Sequence, residues 1–259
     1  MSTSAQVDHR AAVTAQTARF VEVLTGADLT LPVPTCPGWT LADLTRHAGS
    51  VQRWFSVLLR QRIQTPPTSR DVELRLPEQE ADYPEWLSAS AAVAEEAFTA
   101  AGDLDEPMWA WGADQHARFW VRRMLFETTL HRVDAELALG LRPVVDRDLA
   151  ADGVDEFLVN LPFAAFFAPK TALLRSSGGE QTIRFGCTDT DRDWVVRLRP
   201  DGFGLDLGHD AAADADATVR GSAAELLLLL YGRLDLVTDG FEVAGDAELL
   251  ARWFANSAF

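Results

Sequence analysis

The residues best suited to chemistry fall within residues 122–137 of one predicted helix. Its large apolar residues recur at steps of three and four, which predicts a helix with one buried face. A polar line runs beside that face and consists of Arg123, Glu127, His131 and Asp134. Because helix residues four apart lie roughly 5–6 Å apart at Cβ, Glu127 and His131 can direct a carboxylate oxygen and an imidazole nitrogen to one point.

Two interpretations of this polar line are open. The line can supply two ligands of a transition-metal site, because imidazole nitrogen and carboxylate oxygen are both zinc ligands. It can instead be a solvated helix edge on which Arg123 and Glu127 form an ion pair, since charged residues commonly flank a buried stripe. Taken alone, the segment favours the ion pair, so the rest of the chain has to decide.

A third candidate ligand, His47, lies in another predicted helix, between Leu44 and Val51 on the apolar face. A histidine in such a place is more often a hydrogen-bonded core residue than a metal ligand, because buried polar groups usually find an ordinary partner. Together, however, His47, Glu127 and His131 make a set of two histidines and one carboxylate. Three protein ligands with an open fourth position are typical of catalytic zinc rather than structural zinc.

The elements that must position these residues are four predicted helices, at residues 7–26, 41–62, 83–102 and 115–139. Helices of this size with connectors of variable length favour an antiparallel four-helix bundle, in which facing helices supply metal and ligand sites. The proline-rich segment 31–39 before the second helix cannot be regular structure, because proline lacks a backbone donor. Thr40 then caps that helix, with Asp43 completing an approximate capping box.

The second half of the chain has a different pattern, in which strands alternate with a few helices. Strands are predicted at residues 171–175, 182–187, 194–198, 204–207, 214–220 and 241–243, and helices at 147–160, 222–231 and 246–255. This predicts a smaller α+β domain after the bundle. The boundary lies near residues 141–148, so we expect one domain at 1–145 and another at 146–259.

Composition limits the kind of partner. The net charge of −16 argues against nucleic acid and anionic membranes, both of which need a basic protein surface. The N-terminus has no basic and apolar regions of a signal peptide, and no apolar run reaches the length of a membrane span, so a cytoplasmic location is expected. Cys36 and Cys187 are expected to be reduced thiols rather than a disulfide.

Three motifs of the first half resemble the mycothiol-dependent maleylpyruvate isomerase family, a branch of the DinB-like metalloenzyme superfamily. They are TCPGWT at residues 35–40, LTRH at 44–47 and ETTLHRVDAE at 127–136. Residues 219–233 resemble the C-terminal domain of the same family. The likeness covers nearly the whole chain.

The resemblance implies a DinB-like four-helix bundle followed by a smaller C-terminal α+β domain. It also implies a divalent metal, usually zinc, bound by His47, Glu127 and His131. A basic residue of the C-terminal segment would face an acidic substrate, and here that residue is Arg233, with Arg220 as the weaker candidate. For either arginine, an ordinary surface or structural role is the alternative.

The chemistry that the resemblance implies uses mycothiol as the thiol cofactor, so neither cysteine is required as a nucleophile. A divalent cation holds a bound thiol as thiolate near neutral pH. Addition of that thiolate to the double bond of a maleylpyruvate-like cis-enedioyl acid allows rotation, and elimination then gives the trans isomer. An arginine such as Arg233 would bind the substrate carboxylate or the developing enolate. Transfer of the thiol to an electrophile is the related reaction.

Two further residues have two interpretations each. Asp134, three residues after His131, can orient that histidine as part of the catalytic machinery, or it can form an ordinary salt bridge. Trp39 can line the mouth of the pocket as a cofactor-binding residue, or it can pack in the core.

Two other functions are compatible with the sequence. One is a metal-binding or ligand-binding protein of the same fold without thiol chemistry. The other is a metal-dependent hydrolase, because an open metal position can hold water. The expected partners are a small-molecule substrate and a low-molecular-weight thiol, and the chain is expected to be a monomer or homodimer. The substrate and the identity of the metal are left open.

Overall fold

The first part of the chain consists of four long helices. The helix that carries His47 begins at a cap formed by Thr40 and Asp43. The structure is a computed structural model that describes residues 7–68, 72–206, 208, 214–237 and 240–258. Its contacts divide the chain into two compact units, separated between Val144 and Val145. Within the described residues, no helix is both long and apolar enough to cross a membrane.

The first unit contains the four predicted helices, each within two residues of its predicted ends. They are α1 (His9–Leu24), α2 (Leu41–Gln61), α3 (Tyr83–Ala101) and α4 (Ala117–Ala138). Both α1 and α2 pack against α3 and α4, so the helices form a ring that buries their apolar faces. The prediction of a helical N-terminal bundle is confirmed, and the α2–α4 contact brings the helix of His47 beside the helix of Glu127 and His131.

The segment before α2 is ordered by its own backbone hydrogen bonds. Val33 N–H donates to the Trp39 carbonyl at 2.9 Å, and Trp39 N–H donates to the Cys36 carbonyl at 3.0 Å. Gly38 has a φ of 85°, a left-handed conformation that glycine adopts without steric cost. Thr40 and Asp43 form the complete capping box at the start of α2. This rigid turn fixes the place of Cys36 and Trp39 relative to α2.

The second unit combines a five-stranded sheet with three helices. The strands are β1 (Gln181–Cys187), β2 (Asp193–Arg199), β3 (Gly202–Leu205), β4 (Ala217–Gly221) and β5 (Glu242–Gly245), and the helices are α5 (Arg147–Asn160), α6 (Ala223–Leu230) and α7 (Ala247–Asn256). The strand order is β3-β2-β1-β4-β5. Only the β1–β4 pair among these strands is parallel, and the other pairs are antiparallel. The mixed sheet confirms the predicted α+β class.

One predicted strand, at residues 171–175, is wrong. The chain there forms a 3₁₀ helix, Pro169–Leu174, in which Thr171 and Leu174 are buried while Leu173 is 62 % exposed. Pro169 favours this turn because its φ is already helical and its missing N–H is not needed at a helix start. The two buried residues are three positions apart, a spacing that would put them on opposite faces of a strand. The predicted strand 204–207 corresponds to β3, and its last position, Leu207, lies outside the described residues.

Candidate metal centre

Three side chains from α2 and α4 converge on one point of the first unit. Glu127 Oε2 lies 3.4 Å from His131 Nε2 and 3.9 Å from His47 Nε2. All three candidate ligand atoms lie within 4.8 Å of one another. The rings of His47 and His131 are nearly perpendicular, with centroids 4.9 Å apart. The structure therefore brings the three predicted metal ligands together.

The spacing of these atoms fits a small divalent cation. Tetrahedral zinc with ligands at about 2.0–2.1 Å places neighbouring ligand atoms about 3.3 Å apart. The Glu127–His131 distance of 3.4 Å matches that value. The His47–Glu127 distance of 3.9 Å requires a further approach of roughly 0.6 Å, which a side-chain adjustment can supply. Two imidazole nitrogens and one carboxylate oxygen form a donor set suited to zinc and related transition metals.

Solvent exposure of the three side chains decreases from His47 through Glu127 to His131. The His47 side chain is 37 % exposed, that of Glu127 26 % and that of His131 12 %. His47 thus lies at the edge of the apolar face of α2 rather than within the core. The site is closed on its α4 side and open to solvent on its α2 side, so an exogenous ligand can reach the point where the three atoms converge.

Arg123 contacts the same carboxylate from the other side. Its Nη2 and Nε lie 3.0 Å and 3.3 Å from Glu127 Oε1, and its side chain is only 5 % exposed. The ion pair uses Oε1, whereas the two histidines face Oε2. The two interpretations of the polar line in the sequence are therefore compatible, because they involve different oxygen atoms.

Electrostatics at the site favour opposite charges on Glu127 and His131. Burial alone would raise the pKa of the Glu127 carboxyl, but the Arg123 charge and the facing nitrogens of His131 and His47 hold that pKa well below its ordinary value. Burial alone would lower the pKa of His131, but hydrogen bonds with Asp134, Cys36 and Glu127 raise it well above its ordinary value. A cation that binds His131 Nε2 therefore competes with a proton for that nitrogen.

Asp134 supports His131 from behind. Its Oδ2 lies 2.9 Å from His131 Nδ1, and its side chain is fully buried. Thr35 Oγ1 donates to Asp134 Oδ1 at 2.6 Å, and Cys36 Sγ lies 3.5 Å from Oδ2. With Nδ1 directed at a carboxylate, Nε2 is the nitrogen left to face Glu127 and His47. This is the arrangement in which a carboxylate fixes the orientation of a metal-binding histidine.

Cys36, His131 and Asp134 also lie close enough together to be considered as a metal-binding group. This group shares His131 with the first set. Its aspartate already accepts hydrogen bonds on both oxygen atoms. We therefore assign it to the support of His131 rather than to a second metal. No local sequence pattern indicates this role for Thr35 or Cys36, because they lie 99 and 98 residues from Asp134.

Trp39 lies on the open side of the site. Its ring centroid is 4.9 Å from that of His47 and 6.3 Å from that of His131. A cavity of about 650 Å³ opens beside it and is lined by Gly38, Trp39, Asp43, Arg46, His47, Ser50, Leu74 and Leu76. Arg46 brings a positive charge to this cavity and pairs with Asp43 at 3.0 Å. Sequence reasoning overlooked Arg46, although it directly precedes His47.

The predicted arginines belong to the second unit. Arg233 follows α6, and its Nη1 donates to the Tyr231 carbonyl at 2.6 Å. Arg220 lies on β4, with its Nε 3.3 Å from Glu242 Oε2. Both contacts lie within the second unit. A substrate-binding role for either arginine remains a prediction.

Comparisons with known proteins agree over both units. The family model of the mycothiol maleylpyruvate isomerase N-terminal domain matches residues 10–136, and that of the corresponding C-terminal domain matches residues 148–252. A crystal structure of mycothiol-dependent maleylpyruvate isomerase aligns with a TM-score of 0.59, and that of a histidine-to-alanine mutant with 0.62. Both are 15 % identical, over 95 % of this chain and 98 % of the other, so they show the shared fold. No curated protein matches in sequence.

Proposed function

Because the chain belongs to the mycothiol maleylpyruvate isomerase family, a family of enzymes, we propose that it uses a divalent metal and mycothiol. The proposed reaction is isomerisation of a maleylpyruvate-like cis-enedioyl acid, or transfer of the thiol to an electrophile. The observation that carries the proposal is the convergence of His47 Nε2, Glu127 Oε2 and His131 Nε2 on one solvent-accessible point.

The proposed metal ligands are His47, Glu127 and His131, with zinc as the proposed metal. A divalent cation held there would keep the sulfur of bound mycothiol deprotonated near neutral pH. Asp134 orients His131 through Nδ1, and Arg123 holds the far oxygen of Glu127. His47, the most exposed of the three, borders the side from which the thiol enters.

An external thiol is favoured because Cys187 is buried and Cys36 already contacts a carboxylate. Cys187 belongs to β1 of the second unit and is 6 % exposed. Burial raises the pKa of its thiol, which disfavours the thiolate. Cys36 directs its sulfur towards the carboxylate of Asp134. The reactive sulfur is therefore proposed to come from the cofactor.

Binding of the cofactor and substrate is proposed to involve the cavity beside Trp39. The indole ring offers an apolar surface next to His47, against which part of the cofactor can pack. Arg233 is the proposed partner of the substrate carboxylate, because an arginine can bind a carboxylate through two parallel hydrogen bonds. We also propose that residues 1–145 form the metal-binding domain and residues 146–259 a separate C-terminal domain.

The direct test of this function is turnover of maleylpyruvate by the zinc-loaded chain with and without mycothiol. Isomerisation is expected only when both zinc and mycothiol are present, and chelation of the metal is expected to abolish it reversibly. His47→Ala is expected to lose activity, while His116→Ala, which alters a histidine that pairs with Asp114, keeps it.

Other results of the same assay would point to the other functions. Thiol conjugates of an electrophile, formed without isomerisation, would identify a transferase. Ester or amide hydrolysis that needs zinc but no thiol would identify a hydrolase. Stoichiometric zinc binding without any mycothiol binding would contradict thiol chemistry and indicate a metal-binding protein.

A further inference from the structure

We infer that Arg123 is a positioning residue that restricts Glu127 to a single metal-facing oxygen. This inference rests on the proposed metal dependence and adds a residue to it. It follows from the contacts of the Glu127 carboxylate: one oxygen contacts Arg123, and the other faces the two histidines.

The division is visible in the distances. Two Arg123 donors, Nη2 at 3.0 Å and Nε at 3.3 Å, are directed at Glu127 Oε1. The two histidine nitrogens, at 3.4 Å and 3.9 Å, face Oε2. A carboxylate that accepts two charge-assisted hydrogen bonds on one oxygen is held in its plane and rotamer. Oε2 is then the oxygen presented to the point where the histidines converge.

Helix geometry and burial stabilise the Arg123–Glu127 ion pair. Arg123 precedes Glu127 by one turn on α4, so the two side chains are neighbours on the same helix face. The arginine side chain is 5 % exposed. Breaking a buried ion pair of this kind is destabilising. Glu127 therefore cannot turn Oε1 towards the site without breaking a buried pair.

The consequence for the metal site concerns the number of ligand atoms. Asp and Glu side chains can bind metals through one oxygen or through both. With Oε1 retained by Arg123, Glu127 supplies one atom, and the set provides three in total. The remaining position stays available for an exogenous ligand, as catalytic sites of this type require. Without Arg123, the second oxygen is released and can occupy that position.

The experiment uses the full chain loaded with Co²⁺, whose visible absorption weakens as the number of bound atoms increases. Arg123→Lys keeps the charge and a donor, while Arg123→Gln and Arg123→Met remove the charge. The Lys variant is expected to keep the native spectrum. The Gln and Met variants are expected to show weaker absorption, because Glu127 then binds through both oxygens. If the Met variant fails to fold, the Gln variant carries the test.

A matched control is available on the same helix. Arg132 pairs with Glu136 at 2.5 Å with the same spacing of four residues, and both side chains are buried. Arg132→Met removes a buried ion pair without touching Glu127, so it is expected to lower stability and leave the Co²⁺ spectrum unchanged.

The outcomes separate this inference from the proposed function. If the native chain binds no Co²⁺ at all, the proposed metal dependence fails. If the native chain binds one Co²⁺ and the Gln and Met variants keep its spectrum, the role of Arg123 in restricting Glu127 is refuted while the metal site stands. A weakened spectrum in Arg132→Met as well would also refute it, because the change would then reflect general loss of stability.

Discussion

Replacement of Asp134 tests whether the buried carboxylate behind His131 controls metal binding. Asp134→Asn keeps the shape of the side chain and removes its charge, whereas Asp134→Ala removes both. The native carboxylate accepts hydrogen bonds from Thr35 Oγ1 at 2.6 Å and from His131 Nδ1 at 2.9 Å. Loss of the charge alone should therefore have a smaller effect than loss of every acceptor.

The magnitude follows from the role of the group. Replacing the partner of a metal-bound histidine typically lowers metal affinity by about 10- to 100-fold. In Asp134→Asn the amide oxygen can still accept from His131, while the amide nitrogen faces the Thr35 hydroxyl, which can turn to accept. We therefore expect a loss of about tenfold, or about 1.4 kcal/mol. Asp134→Ala leaves the His131 N–H without its acceptor, and we expect a loss closer to 100-fold.

The assay is a competition between the protein and a coloured zinc chelator at constant pH. Glu136→Gln is the matched control, because Glu136 is another buried carboxylate on α4 that pairs with Arg132 and Arg19. The control is expected to keep the native zinc affinity. Native affinity in Asp134→Ala, or an equal loss in Glu136→Gln, would refute the argument that Asp134 acts through His131.

Three further predictions follow from the same contacts. The pKa of His131 is raised, so its contribution to the stability of the metal-free protein is complete below the ordinary histidine value of 6.5 and is lost as pH rises through the raised pKa. The pKa of Glu127 is lowered, so its contribution is present above the ordinary value of 4.5 and is lost as pH falls through the lowered pKa. Thermal unfolding of the metal-free protein in chelator should therefore show the greatest stabilisation by the Glu127–His131 pair between pH 4.5 and pH 6.5. The stabilisation by added zinc should increase with pH, because zinc and a proton compete for His131. Zinc stabilisation that is independent of pH would contradict this competition. Thr35→Val should lower the free energy of unfolding by about 1–2 kcal/mol in urea, since the Asp134 carboxylate loses a hydroxyl donor, and Thr35→Ser should restore it; equal stability of the two variants would show that the bond is unimportant. Trp39→Ala should raise the KM for mycothiol by roughly tenfold, equivalent to about 1.4 kcal/mol of lost packing, with the zinc content unchanged; an unchanged KM would remove Trp39 from the cofactor site.

The sequence predicts much of the site because its key spacing is local. Glu127 and His131 lie one turn apart on a strongly patterned helix, so their proximity follows from helix geometry alone. The place of His47 required the packing of α2 against α4, which helical periodicity does not specify. The resemblance to a known family supplied that link.

Other features depend on contacts between distant residues. Thr35 reaches Asp134 across 99 residues, and nothing in the local pattern of either segment indicates the pair. The division of the Glu127 oxygens between Arg123 and the histidines is likewise invisible in sequence, where an ion pair and a metal ligand look like alternatives. The wrong strand at residues 171–175 has another cause: a short apolar run fits both a strand and a 3₁₀ turn, and Pro169 favours the turn.

The central claim is tested most directly by a crystal structure of the zinc-loaded chain with anomalous diffraction at the zinc edge. We expect one zinc ion per chain, bound by His47 Nε2, Glu127 Oε2 and His131 Nε2, with Glu127 Oε1 still hydrogen-bonded to Arg123. A fourth position facing the cavity beside Trp39 should be open to the thiol. Zinc bound by Cys36 and Asp134, or no anomalous peak near His47 at saturating zinc, would contradict the account.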